Sequence, residues 1–181
     1  MRSNYGAWAA RLRVPLGFAF AIVFLILSRP TRKSIAAGIL VAFAGILIRG
    51  LSAGYIEKNA TLATAGPFRY SRNPLYLGSF ILGAGFVIAG GSIPLGVAFV
   101  ILFTLIYAPV MRREEAYLRH LFGPLYDAYA RQAPLFIPIP GRASKGKGAF
   151  RWRQYWKNRE YQAAIGWIVI FLFLIVKSML R

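Results

Sequence analysis

From Asn73 to Met111 the chain runs for 39 residues without one charged side chain. Surface helices of water-soluble folds set an apolar stripe against a charged face, so an uncharged stretch this long has no place in them. It matches instead two consecutive membrane-spanning helices of roughly 20 residues each. The turn signal Ala89-Gly90-Gly91-Ser92-Ile93-Pro94 divides it. Three further apolar blocks lie outside it: Val14 to Leu27, Ser34 to Ile56 with Arg49 inside it, and Gln162 to Val176 followed by Lys177. The first and last are short, roughly 15 residues against the usual 20. Either they extend into flanking residues such as Trp8 and Tyr161, or one of them is not a full span. The expectation is an all-α integral membrane protein of about five transmembrane helices.

Composition supports this reading through the separation of its two extremes. The chain is 57% hydrophobic, yet its formal net charge is +18. The charges gather between the apolar blocks, as they do in polytopic membrane proteins. The uncharged turn at 89–94 reads as the far side of the membrane, which places the 56–74 connection and residues 112–160 in the cytoplasm. With five spans the N-terminus is also inside, and 17 of the 23 basic residues then fall on that side. Arg29, Arg32 and Lys33 fall on the other, against the positive-inside tendency. Block one lacks a small-residue cleavage pattern at Ser28-Arg29-Pro30, so it reads as a first span rather than a signal peptide.

The chemistry available is narrow. With no cysteine and a single histidine, His120, disulfides, thiolate metal sites, thiol nucleophiles and histidine relays are excluded, and no metal site is expected. The acids are Glu57, Glu114, Glu115, Asp127 and Glu160. Adjacent residues on a helix point about 100° apart, so Glu114 and Glu115 do not form a carboxylate dyad. One faces a site while the other faces water or Arg112, Arg113 and Arg119, unless both serve only helix electrostatics. Around them, Pro109 is placed to start a helix that Gly123-Pro124 breaks and restarts, giving a cytoplasmic helix-turn-helix after the fourth span. Pro134, Pro138 and Pro140 then force an extended path. The glycines of "GAGFVIAGG" (83 to 91) lack dinucleotide-binding spacing and read as helix-packing positions, as do Gly50 and Gly54.

Two segments stand out. "TLATAGPFRYSRNPLYLG" (61 to 78) leads into the uncharged hairpin, and "REEAYLRHLFGPLYDAYARQAPLFIPIP" (113 to 140) leaves it. Together they resemble the isoprenylcysteine carboxyl methyltransferase family and the related phospholipid methyltransferases. That pattern is G-P-Y-R-Y-x-R-[HN]-P-x-Y-x-G, then E-E-x-x-L, F-G-x-x-Y-x-x-Y and a proline-rich end. The match covers residues 49 to 140. The resemblance implies methyl transfer from S-adenosylmethionine, yielding S-adenosylhomocysteine, to a lipophilic membrane-embedded acceptor of the isoprenylcysteine-carboxylate or phospholipid-amine kind.

Carried onto this sequence, the resemblance implies that Thr61, Leu62, Ala63 and Phe68 line the cofactor. Asn73, Pro74, Leu75 and Tyr76 close over it, and Glu114 engages its polar, cationic end. Arg72 and Asn73 are candidate donors to its amino-acid end, and Phe68, Tyr70 or Tyr76 a platform for adenine. Lys58 and Asn59 lie close upstream. Where prenylcysteine-type enzymes carry an arginine for the substrate carboxylate, this sequence has Val110, so the acceptor stays open. Arg49, a lone intramembrane arginine, and Arg113 are the candidates for binding it.

"RASKGKGAFRWRQYWKNR" (142 to 159) mixes basic and aromatic residues immediately before the last apolar block. That position favours anionic membrane lipids over nucleic acid. The chain is thus expected to form one membrane domain. Residues 1–60 carry two spans, 61–140 the methyltransferase core, and 141–181 the basic segment and last span. The alternative is a non-catalytic polytopic scaffold or lipid-binding protein with a polybasic clamp.

Overall fold

The computed structural model describes residues 2–57 and 60–180. Among them there are only helices and connections: α1 (Arg2–Leu27), α2 (Arg32–Tyr55), a 3-10 turn (Gly66–Arg69), α3 (Pro74–Gly90), α4 (Ile93–Phe122), α5 (Pro124–Gln132), α6 (Trp152–Lys157) and α7 (Tyr161–Met179). Three are long and apolar enough to cross a membrane, namely α2, α4 and α7. The apolar part of α1 (Val14–Leu27) and α3 (Pro74–Gly90) are shorter. The helix of block one extends upstream to Arg2, and that of block five begins at Tyr161.

Local chemistry sets most of the boundaries. Thr31 caps α2 in a reciprocal capping box with Ser34. Gly91, in the left-handed region at φ 61°, ends α3, and Pro94 sits in the first turn of α4. One expectation is corrected. Pro109 does not start a helix; it lies inside α4, which runs unbroken from the fourth apolar block to Phe122. A proline in a helix interior forfeits one hydrogen bond and bends the axis without stopping the chain. The corner comes at Gly123, φ 52°, and Pro124 opens α5.

The central interface joins α2 and α3 through small residues. A methyl group on Gly38 would meet the Gly85 carbonyl at 2.5 Å, and one on Gly78 would meet the Gly45 carbonyl at 2.8 Å. In lipid such close backbone approach supplies the packing that water-driven burial supplies elsewhere. The other glycines serve different neighbours: Gly83 faces Phe99 of α4, Gly90 faces Phe24 of α1, and Gly50 and Gly54 face Tyr155 and Phe150 of the basic segment. Phe24, Ile35, Ala42, Val87, Leu95, Phe171 and Leu174 form the main apolar core.

Hydrogen bonds define the two ends of the bundle. At one, the Arg29 amide donates to the Gly90 carbonyl at 2.7 Å, and Ser34 Oγ donates to the Ala89 carbonyl at 3.0 Å. Lys177 Nζ joins them by donating to the Leu25 and Ile26 carbonyls that end α1. At the opposite end lie the 55–73 connection, the end of α4, α5 and residues 133–160.

Candidate functional site

The second end holds a cavity of about 980 Å³, walled by α1, the end of α2, the 56–73 connection, the starts of α3 and α7, the later half of α4, and α5. Its first wall is built by Gly66, whose φ of 57° and closeness to the Tyr55 ring leave no room for a side chain. The 3-10 turn that follows buries Phe68, and Tyr129 Oη donates to the Phe68 carbonyl at 2.7 Å. Burial pushes the Tyr129 hydroxyl well above the ordinary tyrosine value, and Tyr126 in the same direction. Both therefore stay protonated, Tyr129 as the donor to Phe68 and Tyr126 as an acceptor from Arg72.

The next residues fasten this wall to the polypeptide beyond α5. The Arg72 amide donates to the Pro134 carbonyl at 2.9 Å, and Asn73 Nδ2 to the Leu135 carbonyl at 3.0 Å. Arg72 Nη1 reaches Glu115 at 2.5 Å and Tyr126 Oη at 3.4 Å. Arg72 Nε is buried with no hydrogen-bond partner among the described residues.

The second wall comes from α4. The turn of 100° per residue separates its two acids as the sequence suggested. Glu115 turns to Arg72 and Arg119, at 2.5 and 3.4 Å. Glu114 turns to the cavity and accepts from Tyr76 Oη at 3.0 Å. Tyr76 packs against Tyr107, which stacks on Phe103.

At the apolar side of the cavity, Arg49 binds both carboxylate oxygens of Glu160, at 3.1 and 2.8 Å, and donates to Ser79. Glu57, also in the lining, pairs with Arg151 at 2.5 Å.

Thr61 to Ala63, Phe68, the run Arg72 to Tyr76, Glu114 and Arg49 all line this one cavity. Arg113 does not; one helix position from Glu114, it is exposed and outside the lining. Tyr70 is likewise exposed, at 52%, with the Arg69 guanidinium over its ring. Lys58 and Asn59 lie outside the described residues. Arg72 and Asn73 spend much of their donor capacity holding the wall in place.

Sequence reasoning missed Glu57, Glu160, Tyr107, Tyr117, Tyr126 and Tyr129, all in the lining. The scarcity of acids was a usable signal for the first two. Three of the five acidic residues line the cavity of a chain whose net charge is +18. Four of the five are paired with arginines, and Glu114 alone has no arginine partner among the described residues.

A family profile described as phospholipid methyltransferase matches residues 33–124, half of the chain, from α2 to the α4–α5 corner. Over 82 residues the chain is 37% identical to a nickel-cobalt-cadmium resistance protein of Alcaligenes xylosoxydans xylosoxydans, covering 45% of this chain and 38% of the relative. It is 36% identical over 98 residues to a cobalt-zinc-cadmium resistance protein of Cupriavidus metallidurans, covering 53% and 43%. It is 31% identical over 83 residues to the protein-S-isoprenylcysteine O-methyltransferase of Schizosaccharomyces pombe, covering 46% and 35%. The aligned region is thus about two fifths of each relative's length. No solved structure matches the chain significantly.

Proposed function

The chain belongs to the phospholipid methyltransferase family, and from that premise we propose that it transfers a methyl group from S-adenosylmethionine to a lipophilic acceptor drawn from the bilayer. Its three long apolar helices and its family make it an integral membrane protein. We read it as multi-pass, with α1 and α3 completing five spans and the cavity facing the cytoplasm.

The observation that carries the proposal is Glu114. In a chain of net charge +18 it is the one carboxylate without an arginine partner among the described residues, and it lines the cavity. An unneutralised carboxylate there favours a cationic ligand such as a sulfonium or ammonium group. The remaining residues fit the rest of S-adenosylmethionine. Arg72 Nε, without a partner among the described residues, suits its carboxylate, and Phe68, Tyr76 and Tyr107 offer apolar ring faces for adenine. Thr61, Leu62, Ala63, Asn73, Pro74 and Leu75 complete the enclosure. When bound, the cofactor supplies an activated methyl group for in-line displacement. The protein's part is then alignment and exclusion of water more than acid–base relay. Pro67 and Pro74, by stiffening the wall, reduce the entropy lost on binding.

The acceptor end is assigned to the neighbourhood of Arg49, where the lining includes the apolar residues Val14, Phe18 and Ala21 of α1. Arg49 is already neutralised by Glu160, and Val110 is buried. Neither position therefore offers a free cation to an acceptor carboxylate, which supports an amine-like or neutral acceptor. Among the described residues no three His, Cys, Asp or Glu side chains come together as a ligand set.

Titration calorimetry of the purified protein with S-adenosylmethionine and S-adenosylhomocysteine tests the proposal. The native protein binds both, and Glu114→Ala weakens S-adenosylmethionine binding by about tenfold or more, the worth of a lost charged contact. If the folded native protein binds neither compound, the proposal fails and the scaffold reading replaces it.

A further inference from the structure

Residues 142–160 have no obvious task in methyl transfer, yet they form a strap across the outside of the cavity wall. On its inner side Ser144 is 2% exposed, donates through Oγ to the Thr64 carbonyl and exchanges backbone and side-chain bonds with Arg69. Gly146 leaves no room for a side chain against Thr64, and Phe150 presses on Gly54. The Arg151 amide donates to the Gly54 carbonyl, and Asn158 Nδ2 to the Ala53 carbonyl at 2.9 Å. Gln154 of α6 is buried on the same side. The strap also reaches the cavity lining twice, through Arg151 to Glu57 and through Glu160 to Arg49.

Its outer side has the opposite character. Trp152, Arg153, Trp156 and Lys157 sit one turn apart in pairs on one face of α6 and are exposed, the tryptophans at 68% and 59%. Lys145, Lys147 and Arg159 are exposed as well. None of these five basic side chains has an ion-pair partner among the described residues. The rings of Phe150, Trp152, Tyr155, Trp156 and Tyr161 pack in an unbroken series that ends at the start of α7, where a membrane helix begins. Tryptophan and tyrosine belong at the headgroup level of a bilayer, and clustered lysine and arginine beside a span attract anionic headgroups.

We propose that the outer face of this strap docks on anionic phospholipid headgroups of the adjoining leaflet, and that docking latches the cavity wall in its ligand-binding form. The physical reason lies in the crowding of like charge. Seven basic residues between 142 and 159 repel one another, which favours lifting the strap and loosening residues 64–69, Glu57 and Arg49 behind it. Anionic headgroups neutralise that repulsion and leave the inner hydrogen bonds to hold the seat. The docking half stands by itself; the latching half rests on the S-adenosylmethionine reading above.

The test uses the full-length protein in nanodiscs of phosphatidylcholine, alone or with added phosphatidylglycerol, and the double variant Arg153→Ala/Lys157→Ala, neither residue of which lines the cavity. Tryptophan quenching by brominated phosphatidylglycerol should exceed that by brominated phosphatidylcholine at equal mole fraction. The excess should vanish in the variant and in molar salt. S-adenosylhomocysteine should bind the native protein about fivefold more tightly with phosphatidylglycerol present, roughly the factor one surface basic residue is worth, while the variant shows no such gain. Equal quenching by the two lipids overturns the proposal, as does an excess that a single-stranded oligonucleotide removes. Selective quenching with unchanged ligand affinity overturns the latch. Selective quenching with no ligand bound in either lipid faults the cofactor reading and leaves the docking intact.

Discussion

The two ends of the helical bundle are built on different rules. The end formed by the 28–34 and 89–92 turns and Lys177 is closed by its own backbone: short connections, one left-handed glycine, and amide-to-carbonyl bonds across the turns. The other end uses long connections, tyrosines and the acidic residues, and keeps a cavity of about 980 Å³. Close packing along α2 and α3 ties the two together. The contrast teaches that a small membrane protein can leave one end hollow because the middle and the far end are fastened without it. Lipid supplies no hydrophobic drive between helices, so that fastening falls to small residues and backbone bonds.

Four substitutions break or sharpen the contrast, in decreasing order of effect. Gly85→Val would set a Cβ 2.6 Å from that of Ala42. A cost of about 3 kcal/mol or more is expected, read as loss of the monodisperse folded protein in detergent; a variant of native melting temperature would remove the central fastening from the account. Glu160→Gln leaves Arg49 largely buried without its counter-charge and is expected to cost about 3 kcal/mol in unfolding assays. The double variant Arg49→Met/Glu160→Leu should recover most of this, since the cost is that of an unpaired charge.

Tyr129→Phe removes the donor to the Phe68 carbonyl, at about 1–2 kcal/mol. It also changes the pH profile with a definite sign. The folded protein holds the Tyr129 proton more tightly than the unfolded chain. The stability this provides is therefore complete below about pH 10, the ordinary tyrosine value, and is lost as pH rises above it. The Phe variant should show a shallower alkaline loss of melting temperature; an unchanged slope would contradict the burial of that hydroxyl. The smallest effect is expected at the closed end. Lys177→Met takes a cation from the carbonyl end of α1, costs roughly 1 kcal/mol, and leaves S-adenosylhomocysteine affinity untouched. A drop in affinity there would mean that the two ends are coupled more closely than their construction implies.

What the sequence disclosed follows the same division. The break at Gly91 to Pro94 and the corner at Gly123-Pro124 were legible because glycine and proline write turns locally. The assignment of Glu114 and Glu115 to different partners followed from helical geometry. The run of α4 through Pro109 was not legible, because a proline permits either a helix start or a bent interior and only the surrounding packing decides. The bond between Arg49 and Glu160 joins residues 111 positions apart, and nothing in either neighbourhood announces the other. Gly85 was legible as a helix-packing position, but its partners were not: Gly38 and Gly45 looked like ordinary small residues of an apolar block until α2 and α3 were laid side by side.

The unbroken passage of α4 through Pro109 also makes that helix a ruler. At 1.5 Å per residue, Glu114 stands about 32 Å from Ile93 along the axis, against a hydrocarbon layer of about 30 Å. A loop at Pro109 would have let the carboxylate wander in depth. The continuous helix, bent at Pro109 but unbroken, instead ties the height of that carboxylate to the apolar span it extends.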